Sequence, residues 1–179
     1  AGSYDHDLKM YFTGTANAYP WNPYGERQGA GSDGGNANVG AAAIEGINTD
    51  TGEVVWRYTV VPGDPWDYDA MHTPVIVNIN NQKTLVQANK TGYMHYLDAA
   101  TGKFLQAPVI ADKITWANGY DSDGNPIWAQ AVPEEGVEVT VWPGLLGAVN
   151  MSPVAYNPGT QMIYLPRRES DMAYTLEKV

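Results

Sequence analysis

Two internal self-matches, a succession of short strand patterns and a near absence of helical periodicity predict an all-β chain built from β-propeller blades. Shifted by fifty positions, Thr51-Gly52 falls on Thr101-Gly102, and the flanking residues agree in type: Ile44 with Met94, Ile47 with Leu97, Asn48 with Asp98, Val54 with Phe104 and Val55 with Leu105. Shifted by 152, about three such periods, Tyr4-Asp5 falls on Tyr156-Asn157, Met10 on Met162 and Phe12 on Tyr164. Each unit joins an Asx-rich turn to an alternating or apolar run, and a period of about 40 to 50 residues with short strands points to propeller blades. A β-sandwich also has short strands and frequent turns, but gives no reason for two matches at multiples of one period.

In chain order the patterns predict strands near 8–13, 40–47, 53–60, 73–79, 83–88, 92–97, 137–141, 151–156 and 161–166. Leu8 to Thr13 reads as a strand with little before it, and Thr175 to Val179 as a strand cut short. Asp98 to Gly102 and Asn157 to Thr160 read as turns, because Asp and Asn side chains accept hydrogen bonds from backbone two residues on. The whole of 1–179 is expected to be one partial propeller domain of about three to four blades. So few blades cannot close a ring, and an open propeller exposes two sheet edges. The remaining blades are therefore expected from sequence outside this chain or from other chains.

Composition narrows the function classes. The chain has 179 residues, 19 Gly, 12 Pro and only 17% charged residues, so turns are frequent and long solvated helices are not expected. Twelve Tyr and six Trp against two Phe indicate rings that pack while their polar tips find partners. The formal charge is −10 and no basic cluster exists, so nucleic acid is not an expected partner. With no cysteine, disulfides, thiolate metal sites, a nucleophilic Cys and covalent haem attachment are excluded within these residues. No apolar run approaches the ~20 residues that span a bilayer, and Ala1 to Asp5 reads as mature chain rather than signal peptide.

The candidate site starts from Pro65-Trp66-Asp67-Tyr68-Asp69. Two acids at i and i+2 share one face of a strand, which would converge both carboxylates on one point. Like charges held together disfavour joint ionisation unless a cation or donors offset them. Asp67 and Asp69 are thus a candidate metal site and general base; a solvated turn after Pro62-Gly63-Asp64-Pro65 is the plainer alternative. Trp21, Trp116, Trp128 and Trp142 read as packing residues, His6 and His95 as surface or hydrogen-bonded residues, and Arg167-Arg168-Glu169 as a solvated strand end. Gly29 to Gly40 lacks the strand–helix setting of a phosphate loop and reads as a flexible loop.

Asn48 to Trp56, with Thr51, Gly52 and Trp56 in place, resembles the tryptophan-docking motif of the quinoprotein alcohol dehydrogenases, eight-bladed propellers that use pyrroloquinoline quinone (PQQ). Gly46 and Asn48 stand where that motif has Ala and Asp, and the second copy has Gln106 for the Trp. Four further segments follow in the family's order. Gly14-Thr15-Ala16-Asn17 with Pro20-Trp21-Asn22 is similar to the segment whose Asn binds the metal. Pro62 to Asp67 is similar to the segment that carries the catalytic Asp. Asn89-Lys90-Thr91-Gly92-Tyr93 looks like the segment whose Arg or Lys bonds the quinone oxygens, and Gly147-Ala148-Val149-Asn150 with Pro153 like the stretch whose Asn contacts the cofactor. Ala16 replaces a Gly, and His72 stands where an Asn is common.

The resemblance implies the oxidation of a primary alcohol or polyol. The hydroxyl proton goes to Asp67 and a hydride to PQQ, while Lys90 stabilises charge on the quinone. It implies metal ligands Asn17, Asp67 and Asp69, cofactor contacts from Lys90 and Asn150, and a Ca2+ or lanthanide ion as Lewis acid. Asp69 resembles the extra carboxylate of the lanthanide-dependent members. A further Glu ligand and a disulfide of adjacent cysteines would lie upstream. The resemblance also implies a periplasmic enzyme that passes electrons to a c-type cytochrome or a quinone. A non-catalytic propeller scaffold of envelope protein assembly is the alternative; it has no reason to keep Asn17, Asp67 and Lys90 together.

Overall fold

The computed structural model describes residues 2–21, 38–130 and 134–177. Every regular element among them is a strand. β1 (Gly2–Asp5), β2 (Met10–Gly14), β3 (Ala43–Asn48) and β4 (Val54–Thr59) form one four-stranded antiparallel meander; β5 (Val75–Ile79), β6 (Gln82–Ala88), β7 (Met94–Asp98) and β8 (Phe104–Gln106) form a second. β9 (Ala117–Tyr120) pairs with β10 (Pro126–Trp128), β11 (Val139–Val141) with β14 (Met172–Tyr174), and β12 (Ala155–Asn157) with β13 (Met162–Tyr164). β1 and β12 both approach β5, so the first strands of successive units lie side by side, as around a propeller axis.

The repeat is a true structural equivalence. In the turn after β3, Asn48 Oδ1 accepts the amides of Asp50 and Thr51, and the Gly52 amide donates to Asn48 O. Fifty residues on, Asp98 Oδ1 accepts the Thr101 amide, and the Gly102 amide donates to Asp98 O. The offset of 152 holds in the register: Asp5 faces Met10 as Asn157 faces Met162, and Tyr4 faces Tyr11 as Tyr156 faces Ile163. That offset spans two blades and an insert rather than three equal periods. The described residues hold two full blades and the opening hairpin of a third, fewer full blades than the three to four expected. Between 107 and 154 the described residues form the β9–β10 ribbon, β11 and loops instead of a blade.

Trp56 joins the two blades. Its ring lies on Gly102, where left-handed backbone (φ +71°) and the absence of a Cβ leave room, and its Nε1–H donates to Ala99 O at 3.1 Å. Beneath it the core gathers Phe12, Ile44, Tyr58, Trp66, Leu85 and Trp116. At the Trp position of the second blade stands Gln106; there Phe104 stacks on Tyr58 with centroids 5.8 Å apart.

Several expectations need correction. A strand, β1, does precede the one expected at 8–13; the last described strand lies at 172–174, where β11 supplies a partner, and of the strand expected at 175–179 Leu176 bridges to Glu135, while residues 178 and 179 lie outside the described residues. β8, β9 and β10 are too short for a periodic pattern. Arg167-Arg168-Glu169 is more than a solvated end: Arg167 makes a bidentate ion pair with Asp112 and donates to Ile110 O, while Glu169 accepts the Asp112 amide. Trp116, Trp128 and Trp142 do pack, Trp116 and Trp128 edge to face and Trp142 under the Lys113 ammonium. The expected Gly29–Gly40 loop lies, up to residue 37, outside the described residues, as does Asn22.

His95 is fully buried, with its ring edge on Tyr120 and Nδ1 3.4 Å from the Tyr58 hydroxyl. Burial pushes its pKa from 6.5 down to about 3. Below the unfolded value the unfolded chain takes up a proton that the folded chain refuses. The stability present above pH 6.5 is therefore lost as pH falls toward 3, at about 1.4 kcal/mol per pH unit. Denaturant unfolding at pH 6.5 and pH 5 should show a loss of about 2 kcal/mol from this residue, and His95→Phe should remove that share.

Candidate active site

Asp64 builds the loop that precedes β5. Its Oδ1 accepts the Trp66 amide at 2.8 Å and its Oδ2 the Tyr68 amide at 2.6 Å, a two-pronged cap on the turn at Pro62–Pro65. The Trp66 and Tyr68 rings are driven into the core, against Tyr174 and Trp116 respectively. The Tyr68 hydroxyl donates to Pro143 O, and the Tyr174 hydroxyl to Trp66 O at 2.9 Å. Between the two buried rings Asp67 takes left-handed backbone, φ +64°, an uncommon and costly conformation for a residue with a Cβ. The stretch is neither strand nor solvated turn, so the carboxylates do not converge by strand alternation; the left-handed kink aims them.

They converge on Lys90, just beyond β6. Its Nζ donates to Asp69 Oδ2 at 2.6 Å and to the Asp67 carbonyl at 2.7 Å, and stands 3.5 Å from Asp67 Oδ1. The Lys90 side chain is 6% exposed, those of Asp67 and Asp69 23% and 21%. Asn17, beyond β2, reaches the cluster through its backbone, its amide donating to Asp69 Oδ1 at 2.8 Å, while its carboxamide turns to Ala18 O. Gly14 lets β2 approach so closely that any Cβ would collide with Ala70 O. Gln87 then fixes the loop from β6, donating to both Ala70 O and His72 O.

Asn150 is only partly brought in. Its loop lies on Lys90: the Ala148 amide donates to Lys90 O at 3.1 Å, and Gly147, at φ +69°, sits where a Cβ would strike Lys90 Cα. The Asn150 carboxamide folds back on that loop, donating to Leu146 O and accepting the Met151 amide. His72 is the member that spacing alone does not reveal; its only sequence signal is the departure from an Asn.

The electrostatics suit a base. Burial raises the Asp67 pKa above the ordinary carboxylate value, the Lys90 charge opposes this and the Asp69 charge reinforces it. Burial, then the Lys90 charge, lowers His72 to about 4, so its ring is neutral at physiological pH. The two carboxylates are donors of the kind a hard cation takes. The Lys90 ammonium shows that a positive centre is accommodated between the two carboxylates, and hard oxygen donors match Ca2+ or a lanthanide. Among the described residues no group of three or more His, Cys, Asp or Glu could hold an ion by itself, so Asn17 and donors from elsewhere would have to complete the shell.

Residues 1–115 match the family described as the PQQ glucose/ethanol/alcohol dehydrogenase β-propeller domain. The chain is 35% identical over 180 residues to quinohemoprotein alcohol dehydrogenase ADH IIB of Pseudomonas putida, covering 98% of this chain and 25% of that protein. The crystal structure of quinohemoprotein alcohol dehydrogenase from Comamonas testosteroni superposes with a TM-score of 0.85 at 31% identity, over 97% of this chain and 26% of that one. A europium-containing methanol dehydrogenase superposes with a TM-score of 0.88 at 26% identity, over 99% and 31%. The chain thus spans about a quarter to a third of the length of these proteins.

Proposed function

The chain belongs to the family of PQQ glucose/ethanol/alcohol dehydrogenase β-propeller domains, and from that premise we propose that it is the base-bearing part of a PQQ-dependent alcohol dehydrogenase. The observation that carries this reading is the meeting of Lys90 with Asp67 and Asp69 from opposite loops. In this proposal the rest of a larger propeller completes the ring, the substrate is a primary alcohol or polyol, and the enzyme works in the periplasm with a c-type cytochrome or a quinone as electron acceptor.

PQQ supplies the two-electron acceptor when bound, and a Ca2+ or lanthanide ion the Lewis acid. Asp67 Oδ1 takes the hydroxyl proton of the alcohol, aided by burial, which raises its pKa. Lys90 keeps a positive charge beside that carboxylate and offers a donor to an oxygen that gains charge. Asn17, Asp67 and Asp69 would hold the cation, and Asn150 would meet the cofactor. The 21–23% exposure of the two carboxylates leaves them reachable while the rings below exclude water.

Asp69 supports a lanthanide, since a trivalent ion gains more from one further carboxylate than a divalent one. The full-length enzyme, loaded with PQQ and either La3+ or Ca2+, tests this. Asp69→Ala should depress the La3+-supported rate far more than the Ca2+-supported rate. Equal La3+-supported rates for variant and wild type would end the lanthanide assignment. Failure of the wild type to take up PQQ with either metal would end the enzyme reading and favour the scaffold.

A further inference from the structure

His72 is 5% exposed, and neither ring nitrogen makes a hydrogen bond among the described residues. The ring lies within the field of Lys90 and Asp69. A backbone interaction with Val149 favours its protonated form, although neither ring nitrogen meets a partner in standard hydrogen-bond geometry. A neutral imidazole carries one donor and one acceptor, and buried polar groups left unpaired in a native fold call for an explanation. The residue after Val149 is Asn150, whose carboxamide is spent on its own loop. Residues 147 and 148 are already seated on the Lys90 backbone.

We infer that His72 is a positioning residue for the bound cofactor: its imidazole latches the Val149 backbone to the Asp67–Asp69 loop, and so delivers the Asn150 carboxamide to the group beside Lys90. The inference rests on the PQQ reading above. When the Asn150 carboxamide serves the cofactor rather than Leu146 O, the adjoining Val149 backbone accepts the imidazole N–H of His72. Cofactor affinity then includes the hydrogen bond of a side chain that need not touch the cofactor.

The test is a PQQ titration of the full-length protein, run both with La3+ and with Ca2+ and followed by absorbance, with thermal melting of the PQQ-free form alongside. His72→Leu keeps the bulk and removes the hydrogen bond; it should weaken PQQ binding about tenfold. His72→Gln, which retains an N–H donor, should stay within about threefold. Because His72 acts through Asn150, His72→Leu in an Asn150→Ala background should cost little more than Asn150→Ala alone. The PQQ-free melting temperature of His72→Leu should be unchanged or higher, since an unpaired buried polar group has been removed. Wild-type affinity in His72→Leu, full additivity with Asn150→Ala, or a lower melting temperature of the PQQ-free variant would each overturn the latch. If wild type itself binds no PQQ, the latch falls together with the reading beneath it; if wild type binds and His72→Leu binds equally, the latch falls alone.

Discussion

Asp67→Asn in the full-length enzyme is expected to lower turnover by about 10²–10⁴-fold while leaving the fold and bound PQQ in place. The amide has the size of the carboxylate but cannot accept the hydroxyl proton of an alcohol. The backbone tolerates the change, because Asn is among the few residues at ease at φ near +60°. The Lys90 bond to residue 67 is also preserved, since its acceptor is the main-chain carbonyl. Asp67→Ala removes the base equally and should in addition lose about 1 kcal/mol of stability at the left-handed position. Steady-state kinetics, with PQQ absorbance and metal analysis on the same samples, separates loss of chemistry from loss of cofactor. A loss of less than tenfold with full loading would show that the proton goes elsewhere.

Trp56→Ala is expected to destabilise the propeller by about 3–5 kcal/mol, the range for emptying a buried aromatic site. The ring packs on Phe12 with centroids 5.8 Å apart and covers Gly102, and its Nε1–H donates to the Ala99 carbonyl of the next blade. Its removal opens the seam between two blades as well as a cavity. Trp56→Phe keeps much of the packing and should cost less, chiefly the hydrogen bond and the space of the smaller ring. Denaturant unfolding of the three proteins checks the order; equal midpoints would show that this seam contributes nothing to stability.

The blades were legible because their signals are local. Asn48 and Asp98 cap their turns by contacts within three residues, so the chemistry of each turn is written in the turn itself. The Trp docking was legible for the same reason, as a spacing between one turn and one ring. The ribbon β9–β10 and strand β14 were not, because three- and four-residue strands carry no period; β11 lies within the strand expected near 137–141, but its partner, 31 positions or more away at 172–174, could not be read from the sequence.

At the site, the residue types at 17, 67, 69, 90 and 150 announce oxygen donors, a base and a cation, and their order along the chain suffices to suggest the family. Their arrangement had to come from the fold. Strand alternation would have put Asp67 and Asp69 on one face; instead Asp64 and two buried rings force a left-handed residue, a product of capping and core packing acting together. Asn17 reaches Asp69 through its backbone, and Asn150 presents its loop to Lys90 while its side chain turns away. No spacing rule encodes either choice.

By itself the sequence determined what depends on neighbours along the chain: the all-β class, the fifty-residue unit, the turns, the Trp dock and the identity of the chemical groups. Only the tertiary structure decided what depends on neighbours in space: the ion pairs of Lys90 with Asp67 and Asp69, the pKa directions, and the unpaired imidazole of His72. The physical reason is that turn hydrogen bonds act over a few residues of chain, whereas burial and charge act through space between segments that the sequence separates by tens of residues.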